Sequence, residues 1–500
     1  MNIIAIDLGT THCKAVIINT NGKVLKTFQV GTKPIQSKPG WNEQNADEIF
    51  SAVIKLLQQS FSFCKEKDIA CVSLSAAMHS LLAVDKNGKP LMNMLTWADL
   101  RSAKYAHELK SNPIADKIYE TTGVPVHAMS PLCKLIWMKH DSKKIFEKAF
   151  KFISIKEYIF FKLFGKYIID HSIAAATGLF DEKNVCWYDE ALKIAGISAE
   201  KLSELVSIHH CETELLPEIK TKLKTQNKIP FVLGASDGAL ANLGCGLFNA
   251  KNMAVTIGTS GAARVTTNKY VTDKKQRLFC YYIDKNMYIL GGAVNNGGVT
   301  LQWLIEKILQ KDFKDEEVFK TIFKEASQVN AGANGLIFLP YLNGERSPMW
   351  DENARGALVG LTSSHKQTHI IKAVLEGICF GLLDVINAVE ESDKSIEKIY
   401  LSGGIIKSKE WVQMFANITG KNIVINDAAD ASALGAAFVG MKAVGLLDDY
   451  TTSNLFLKEI ELIKPDKNTH NIYKKYFKVY QSLYEKLKDS FEMIASINND

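Results

Sequence analysis

The sequence predicts an α/β protein built from two related domains. Three observations carry that reading. Short apolar runs with strand character recur along the chain, and several lead into segments with helical spacing, the pattern of layered α/β domains. At 500 residues, the chain is long enough for two to four domains at roughly 100–200 residues each. Finally, the chain echoes itself. Ala5-Ile6-Asp7-Leu8-Gly9-Thr10-Thr11 and Ala254-Val255-Thr256-Ile257-Gly258-Thr259-Ser260 share one grammar, 249 residues apart. Each copy is followed by a second strand-like run, Ala15–Ile18 in one and Ala262–Val265 in the other. Each half therefore reads as opening on a hairpin whose tip carries glycine and hydroxyl residues. Taken alone, the echo is equally consistent with two unrelated Gly-Thr turns. The division is placed at 1–245 and 246–500.

The elements follow in order. Ile3–Ile6 is a strand, Gly9-Thr10-Thr11 a turn, Ala15–Ile18 a second strand, and Asn21-Gly22 a hairpin signal before Lys23–Val30. Ile49, Val53, Leu56 and Leu57 keep helical spacing. Cys71–Ala76 is a strand ending at Met78-His79-Ser80, and Asn87-Gly88 is a further turn. From about 100 to 230 the chain is Lys-rich and helical, with breaks at Pro113, Pro125 and Pro131. The second half continues with strands Phe279–Ile283 and Met287–Leu290, then Gly291-Gly292 and Gly297-Gly298. A long helix fits Thr368 to about Val389. Tyr400-Leu401 leads into Ser402-Gly403-Gly404. Asn422–Ile425 is a strand, and Ala433–Val439 a small-residue helix.

Composition narrows the function classes. With 47% apolar and 23% charged residues, the chain has the make-up of a globular protein rather than a disordered or collagen-like one. A net charge of +6, from 60 basic and 54 acidic residues spread along the chain, does not suggest nucleic-acid binding. No apolar run approaches the ~18 residues of a membrane span. The first apolar run meets Asp7 too early to be a signal-peptide core. Nine cysteines without a C-x-x-C pair fit reduced thiols in the cytoplasm better than a disulfide framework or structural zinc site. The 11 histidines show no paired-ligand spacing of the zinc-protease kind.

Three segments could carry chemistry. A Gly-Thr-Thr tip suits phosphate oxygens, because glycine admits close backbone approach while N–H and hydroxyl groups donate. Asp7, two residues earlier, could hold Mg²⁺ through water opposite the same phosphates. The Walker-A loop is absent. Leu233-Gly234-Ala235-Ser236-Asp237-Gly238 puts an Asp among small residues after an apolar strand, where it could take a proton from a substrate hydroxyl during phosphoryl transfer. An ordinary Asp-Gly turn is the other reading. Thr96-Trp97-Ala98-Asp99-Leu100-Arg101, read as extended, lines up a ring, a carboxylate and a guanidinium on one side for a polyhydroxylated ligand. A strand end with a surface ion pair explains the same residues.

Together these residues resemble the FGGY carbohydrate kinases. Asp7-Leu8-Gly9-Thr10-Thr11, Ala77-Met78-His79-Ser80, Trp97-Ala98-Asp99-Leu100-Arg101, Gly234-Ala235-Ser236-Asp237-Gly238, Ile257-Gly258-Thr259-Ser260 and Leu401-Ser402-Gly403-Gly404 occur in that family's order. Gly356-Ala357-Leu358-Val359-Gly360-Leu361 with His369-Ile370 and Leu375-Glu376-Gly377 resembles its C-terminal signature. Met129-Ser130-Pro131 with Lys134 and Trp137 resembles its N-terminal one, although His140-Asp141 departs from the usual ending. The resemblance runs from residue 2 to about 445. Within the family, Met78-His79-Ser80 and Thr96-Trp97-Ala98-Asp99 with Arg101-Ser102 look most like the gluconate-phosphorylating members.

The resemblance implies two actin-like (ribonuclease H-like) domains of mixed sheets with helices around a central cleft. Residues 1–245 would hold the sugar and the first phosphate hairpin, and 246–500 the nucleotide. The implied reaction is ATP-dependent phosphorylation of D-gluconate to 6-phospho-D-gluconate with Mg²⁺, in the cytoplasm. A xylulose, other pentulose or polyol substrate is the alternative within the family. A non-catalytic actin-like assembly or chaperone-type ATPase is the alternative from another class. Carried over position by position, Asp237 is the general base, and Asp7 stands at the metal. Met78 and His79 match substrate positions, with Trp97, Asp99 and Arg101 as further substrate candidates. Thr10, Thr11, His12, Thr259, Gly298, Gln302, Gly403, Gly404 and Ser408 match nucleotide positions; His12 stands where Ser or Asn is commoner. Arg101 is the expected partner of a substrate carboxylate, with Lys134 and Arg346 next in line. Neither nucleic acid nor membrane is implied as a partner, and a homodimer is left open.

Overall fold

The two Gly-hydroxyl segments sit at the tips of matching hairpins in two separate sheets. The computed structural model describes residues 1–393, 396–426, 430–451 and 459–497, with Lys67 described by its backbone alone. In the first hairpin, β1 (Asn2–Leu8) pairs antiparallel with β2 (His12–Asn19), and β2 with β3 (Val24–Gly31). On its other side β1 pairs in parallel with β4 (Ile69–Ala76). With β5 (Cys211–Glu212) and β6 (Phe231–Ser236), the sheet order is β5-β6-β4-β1-β2-β3.

The second sheet repeats that logic. Strand β7 (Asn252–Ile257) pairs antiparallel with β8 (Gly261–Thr267) and in parallel with β11 (Lys398–Gly403). Adding β9 (Phe279–Asp284), β10 (Met287–Val294), β12 (Asn422–Asn426) and β13 (Glu459–Ile463) gives the order β9-β10-β8-β7-β11-β12-β13. The echo read from the sequence is thus a shared topology, a hairpin followed by parallel strands reached through helical crossovers.

Helices cover the sheets for reasons visible in their sequences. Helix α1 (Ala46–Phe63) begins at Asn45, whose side chain accepts from Asp47 N and Glu48 N, and it buries Ile49, Val53, Leu56 and Leu57. Helix α2 (Asp237–Gly244) starts directly from the end of β6. The predicted long helix is α3 (Gln367–Ser392), an almost fully buried spine of the second core. Residues between β4 and β5 form a helical layer with its own core, around Leu81, Ile118, Leu135 and Phe152.

Helix α4 (Ala431–Ala443) was legible as a small-residue helix, but its location was not. It lies in the second half of the chain yet packs on the first sheet, joining that core through Ala433, Ala437, Phe438 and Met441. It crosses α2 at backbone distance. A Cβ on Gly435 would lie 1.9 Å from the Leu240 carbonyl oxygen, and one on Gly244 1.8 Å from that of Ala431. Small residues at these positions therefore set how closely α4 approaches the helix that begins at Asp237.

The halves also meet at a charged latch. Glu352 lies 3.2 Å from His127 Nε2 and 3.3 Å from His107 Nε2, and Lys110 donates to the Trp350 carbonyl. Burial opposes the Glu352 charge, but His127, His107 and Lys110 hold its carboxyl below the usual range. Glu352 in turn raises His107. His127 is buried, and its Nδ1 accepts from Met129 N; burial pushes its imidazole down against the pull of Glu352. A depressed carboxylate stabilises the fold above its unfolded value of ~4.3, and a raised imidazole stabilises it below its unfolded value of ~6.5. Glu352→Gln should therefore cost about 1–3 kcal/mol, most between those pH values. Thermal unfolding of both proteins at pH 5.5 and 8.5 checks this. Equal differences at the two pH values would remove His107 from the latch.

Candidate active site

Between the two hairpin tips lies a cavity of about 670 Å³. Thr10 and Thr11 from the first tip, and Thr259 and Ser260 from the second, line it. Asp7, Met78, His79, Trp97 and Asp237 join them from the first half, and Arg264, Tyr281 and Arg346 from the second. A cleft of this size, walled by aromatic rings with a few convergent polar groups, suits a small polar ligand.

Asp237 owes its place to a glycine. Gly234 has φ +68°, and a Cβ there would lie 1.8 Å from the Leu74 carbonyl oxygen. The β6–β4 register shifts between Val232 and Ala235, and this irregularity aims the strand end at the cleft. Asp237 then opens α2 and accepts from Gly238 N at 2.6 Å. Burial pushes its carboxyl above the ordinary value, against the pull of Arg264, the Gly238 N–H, Lys156 and Arg346. Lys156 is held beneath it by Asp170 at 2.7 Å and the Ala235 carbonyl at 2.9 Å. Gly238 keeps this corner uncrowded: a Cβ there would meet Arg264 Nε at 3.1 Å and Met78 Cε at 3.2 Å, so both side chains would have to give by a few tenths of an ångström.

Asp7, at the end of β1, accepts from Ser75 Oγ at 2.7 Å. Burial raises its carboxyl to about 6, with Asp237 and Asp430 adding to the rise and Ser75 and Lys14 opposing it. Two partly desolvated carboxylates facing one cavity fit a hydrated cation. Mg²⁺ binds through one or two carboxylates, water and substrate phosphates rather than a full protein cage. Among the described residues no three His, Cys, Asp or Glu side chains gather as such a cage.

His79 has φ +66° and is buried. Burial, with Lys134 and Arg346 adding, pushes its imidazole down to about 3 and keeps it neutral. Its Nδ1–H donates to the Ala176 carbonyl at 2.7 Å, which leaves Nε2 as an acceptor. Lys134 is spent on the backbone, donating to the carbonyls of His79 at 2.6 Å and Thr96 at 2.7 Å. It staples the Met78-His79 segment to the Trp97 segment. Trp97 faces the cavity with the Arg346 guanidinium 4.7 Å from its ring centre.

The expected grouping of Trp97, Asp99 and Arg101 on one wall is corrected. The segment is a turn, closed by Asp99 N to Thr96 O at 3.2 Å, so the alternation of an extended strand does not apply. Trp97 turns into the cavity, whereas Asp99 and Arg101 are not among its lining residues. Arg101 Nε and Nη2 hold the two Asp99 oxygens at 2.8 Å each, and Nη2 also reaches Glu43 at 2.7 Å. The guanidinium lies 3.8 Å from the Trp41 ring centre and 5.1 Å from that of Trp137. Arg101 has no free fork for a substrate.

The nucleotide positions gather unevenly. Gly298 N donates to the Gly258 carbonyl at 2.6 Å, and Val299 N to that of Thr259 at 3.0 Å. Gly403 has φ +92°, and a Cβ there would lie 2.4 Å from the Ile257 carbonyl oxygen; Gly404 follows it. These glycines therefore pack at the second tip. At the first tip, His12 is exposed with Nδ1 3.1 Å from Thr11 Oγ1. Gln302 donates to Glu306 at 3.0 Å. The Ser408 hydroxyl accepts from Trp411 N at 3.2 Å and donates to Glu410 at 2.8 Å, so it caps a helix. Of the nine nucleotide positions, Thr10, Thr11 and Thr259 line the cavity, whereas His12, Gly298, Gln302, Gly403, Gly404 and Ser408 are not among its lining residues.

Sequence reading missed Arg264 and Tyr281. The signal was present in period-two alternation, since Ala262 and Arg264 share a strand face, as do Phe279 and Tyr281, and all four line the cavity.

Comparison with known proteins accords with this geometry. Residues 2–244 match the N-terminal domain of the FGGY family of carbohydrate kinases, and residues 253–444 match its C-terminal domain. The chain belongs to this family: it is an enzyme, a kinase with a sugar and ATP as substrates. It is 38% identical to a gluconokinase of Bacillus subtilis, over 99% of this chain and 97% of that one. A gluconate kinase structure from Lactobacillus acidophilus superposes with a TM-score of 0.94 at 35% identity, covering 99% of both chains. A xylulose kinase structure from the same organism gives 0.94 at 34% identity, again over 99% of both. Among the described residues no helix is long and apolar enough to cross a membrane.

Proposed function

We propose that the sugar is D-gluconate, phosphorylated on its C6 hydroxyl by ATP to give 6-phospho-D-gluconate. The observation that carries this is an unmatched guanidinium on the cavity wall. Arg264 faces the ligand space, and among the described residues its buried Nε has no hydrogen-bond partner. The hydroxyls of a neutral ketose or polyol offer it only neutral acceptors, whereas a sugar acid brings a carboxylate for a charge-assisted bond. The similarity to gluconokinases supports the same choice.

In this reading Asp237 orients the hydroxyl and takes its proton as the phosphoryl group moves. The neutral His79 accepts from a substrate hydroxyl through Nε2, and Met78 and Trp97 pack against the carbon chain. Thr10, Thr11 and His12 on one tip and Thr259 on the other donate to phosphate oxygens, with Gly298, Gln302, Gly403 and Gly404 around the nucleotide. When bound, Mg²⁺ supplies charge neutralisation on the phosphates, and Asp7 is the residue that would hold it. The two units of this arrangement divide near residues 245 and 246, although α4 returns to the first core.

A coupled assay with ATP–Mg²⁺ and gluconate, xylulose or glycerol tests the reading. Gluconate should give the highest kcat/KM, and a preference for xylulose would overturn it. Asp7 has its own test. Asp7→Ala should raise the Mg²⁺ concentration needed for half-maximal turnover, measured by titration at fixed ATP. An unchanged requirement would return Asp7 to a structural role.

A further inference from the structure

Arg264 and Tyr281 carry buried polar atoms that the protein leaves unmatched at the cavity. Arg264 Nε and Tyr281 Oη are enclosed and, among the described residues, have no hydrogen-bond partner, although each could donate. Leaving a buried donor unpaired is costly, so two at one cavity point to a ligand that satisfies them.

The backbone clears room for this pair. Arg264 sits opposite Gly291 in the β8–β10 ladder, and Gly291 sits opposite Phe279 in the β10–β9 ladder. A Cβ on Gly291 would meet the Ala263 carbonyl oxygen at 2.3 Å and Arg264 Cγ at 3.1 Å, and one on Gly238 would come within 3.2 Å of Arg264 Cζ. Gly291 thus lets the two strands approach beside the Arg264 stem, and Gly238 leaves room at the guanidinium. Arg346 differs, because part of its fork is already used by the protein. Its Nε donates to Asn295 Oδ1 at 2.8 Å and its Nη2 to the Val294 carbonyl at 3.3 Å. Glu345 in turn fixes Asn295 and Asn296. Arg264 attracts Asp237 without forming an ion pair with it among the described residues.

We propose that Arg264, with Tyr281 Oη on the same cavity wall, receives the substrate carboxylate and is the residue by which this site selects a sugar acid over a neutral sugar. The proposal rests on the gluconate reading and names the contact behind it. The competing role is electrostatic support of Asp237, in which Arg264 would serve every substrate alike.

The experiment compares gluconate with gluconamide, its uncharged counterpart of the same length, using the full chain with ATP–Mg²⁺. Wild-type enzyme should favour gluconate, chiefly through KM. In Arg264→Gln the gluconate-to-gluconamide ratio of kcat/KM should fall about ten- to hundredfold, with the KM for ATP unchanged. Arg264→Lys keeps the charge without the fork, and should fall between the two. Tyr281→Phe should lower the ratio by a smaller factor. Calorimetric titration of gluconate into each variant gives the same ranking without turnover. An equal loss on both substrates, residing in kcat, would assign Arg264 to Asp237 and overturn the proposal while leaving the gluconate reading intact. A wild-type enzyme that turns over xylulose but not gluconate would overturn both.

Discussion

Asp237→Asn should leave ATP binding nearly intact and lower sugar phosphorylation by about 10²–10⁴-fold, the usual cost of losing a general base. The substitution is nearly isosteric. The amide oxygen can still accept from Gly238 N, the 2.6 Å bond that fixes the side chain at the head of α2. What disappears is the ability to take a proton. Stability should not fall, because burial already disfavours the charge and raises the carboxyl's proton affinity. The loss of attraction to Arg264, Lys156 and Arg346 is offset by removing an ion from a partly dry site. The measurement is kcat with gluconate and ATP–Mg²⁺, alongside nucleotide titration followed by calorimetry. A variant keeping more than about a third of wild-type turnover would contradict the general-base role, since that is far outside the expected loss.

The parts of this site that were legible in the sequence are those fixed by local backbone chemistry. Gly9-Thr10-Thr11 and Gly258-Thr259-Ser260 announce hairpin tips because few residue types suit such turns, and both tips line the cavity. Asp237 stood out as an Asp among small residues after an apolar strand, and the small residues turn out to be spatial requirements. Gly234 permits the bulged strand end, and Gly238 leaves room for Arg264 and Met78. What escaped depends on contacts distant in sequence. Helix α4 reads as apolar on every side, so its periodicity says that it is buried without saying in which core. Gly435 marks a helix crossing only once Leu240 is known to lie opposite. Arg264 is one basic residue among 60 Lys and Arg, and what sets it apart is that no partner meets its buried Nε among the described residues. The Trp97–Arg101 segment failed for the opposite reason. Its residue types invited a ligand, but one turn at Thr96–Asp99 sends Trp97 and Arg101 to different surroundings.

Arg101 consequently carries a prediction about stability where the sequence suggested specificity. Its side chain is 4% exposed, against 0% for Asp99 and 11% for Glu43. Asp99 Oδ2 also accepts from Asn42 N at 2.8 Å. The cluster thus clamps the Trp97 turn to the strand-like stretch Trp41–Gln44, whose last three residues reach the cavity wall. Arg101→Met keeps much of the packing between Trp41 and Trp137 but strands two buried carboxylates. Removing one partner of a buried ion pair typically costs about 3–5 kcal/mol, because the remaining charge is left uncompensated. Arg101→Lys should lose less, since an ammonium restores the charge but cannot hold both Asp99 oxygens in one plane. Denaturant unfolding measures the loss. The gluconate-to-gluconamide ratio in the surviving enzyme separates this role from substrate binding. Because Arg101 is spent on Asp99 and Glu43 and does not line the ligand space, that ratio should stay at its wild-type value even as stability falls. If instead stability held while the ratio collapsed as expected for Arg264→Gln, the carboxylate would have to be met by Arg101, and the turn would have to open when substrate binds.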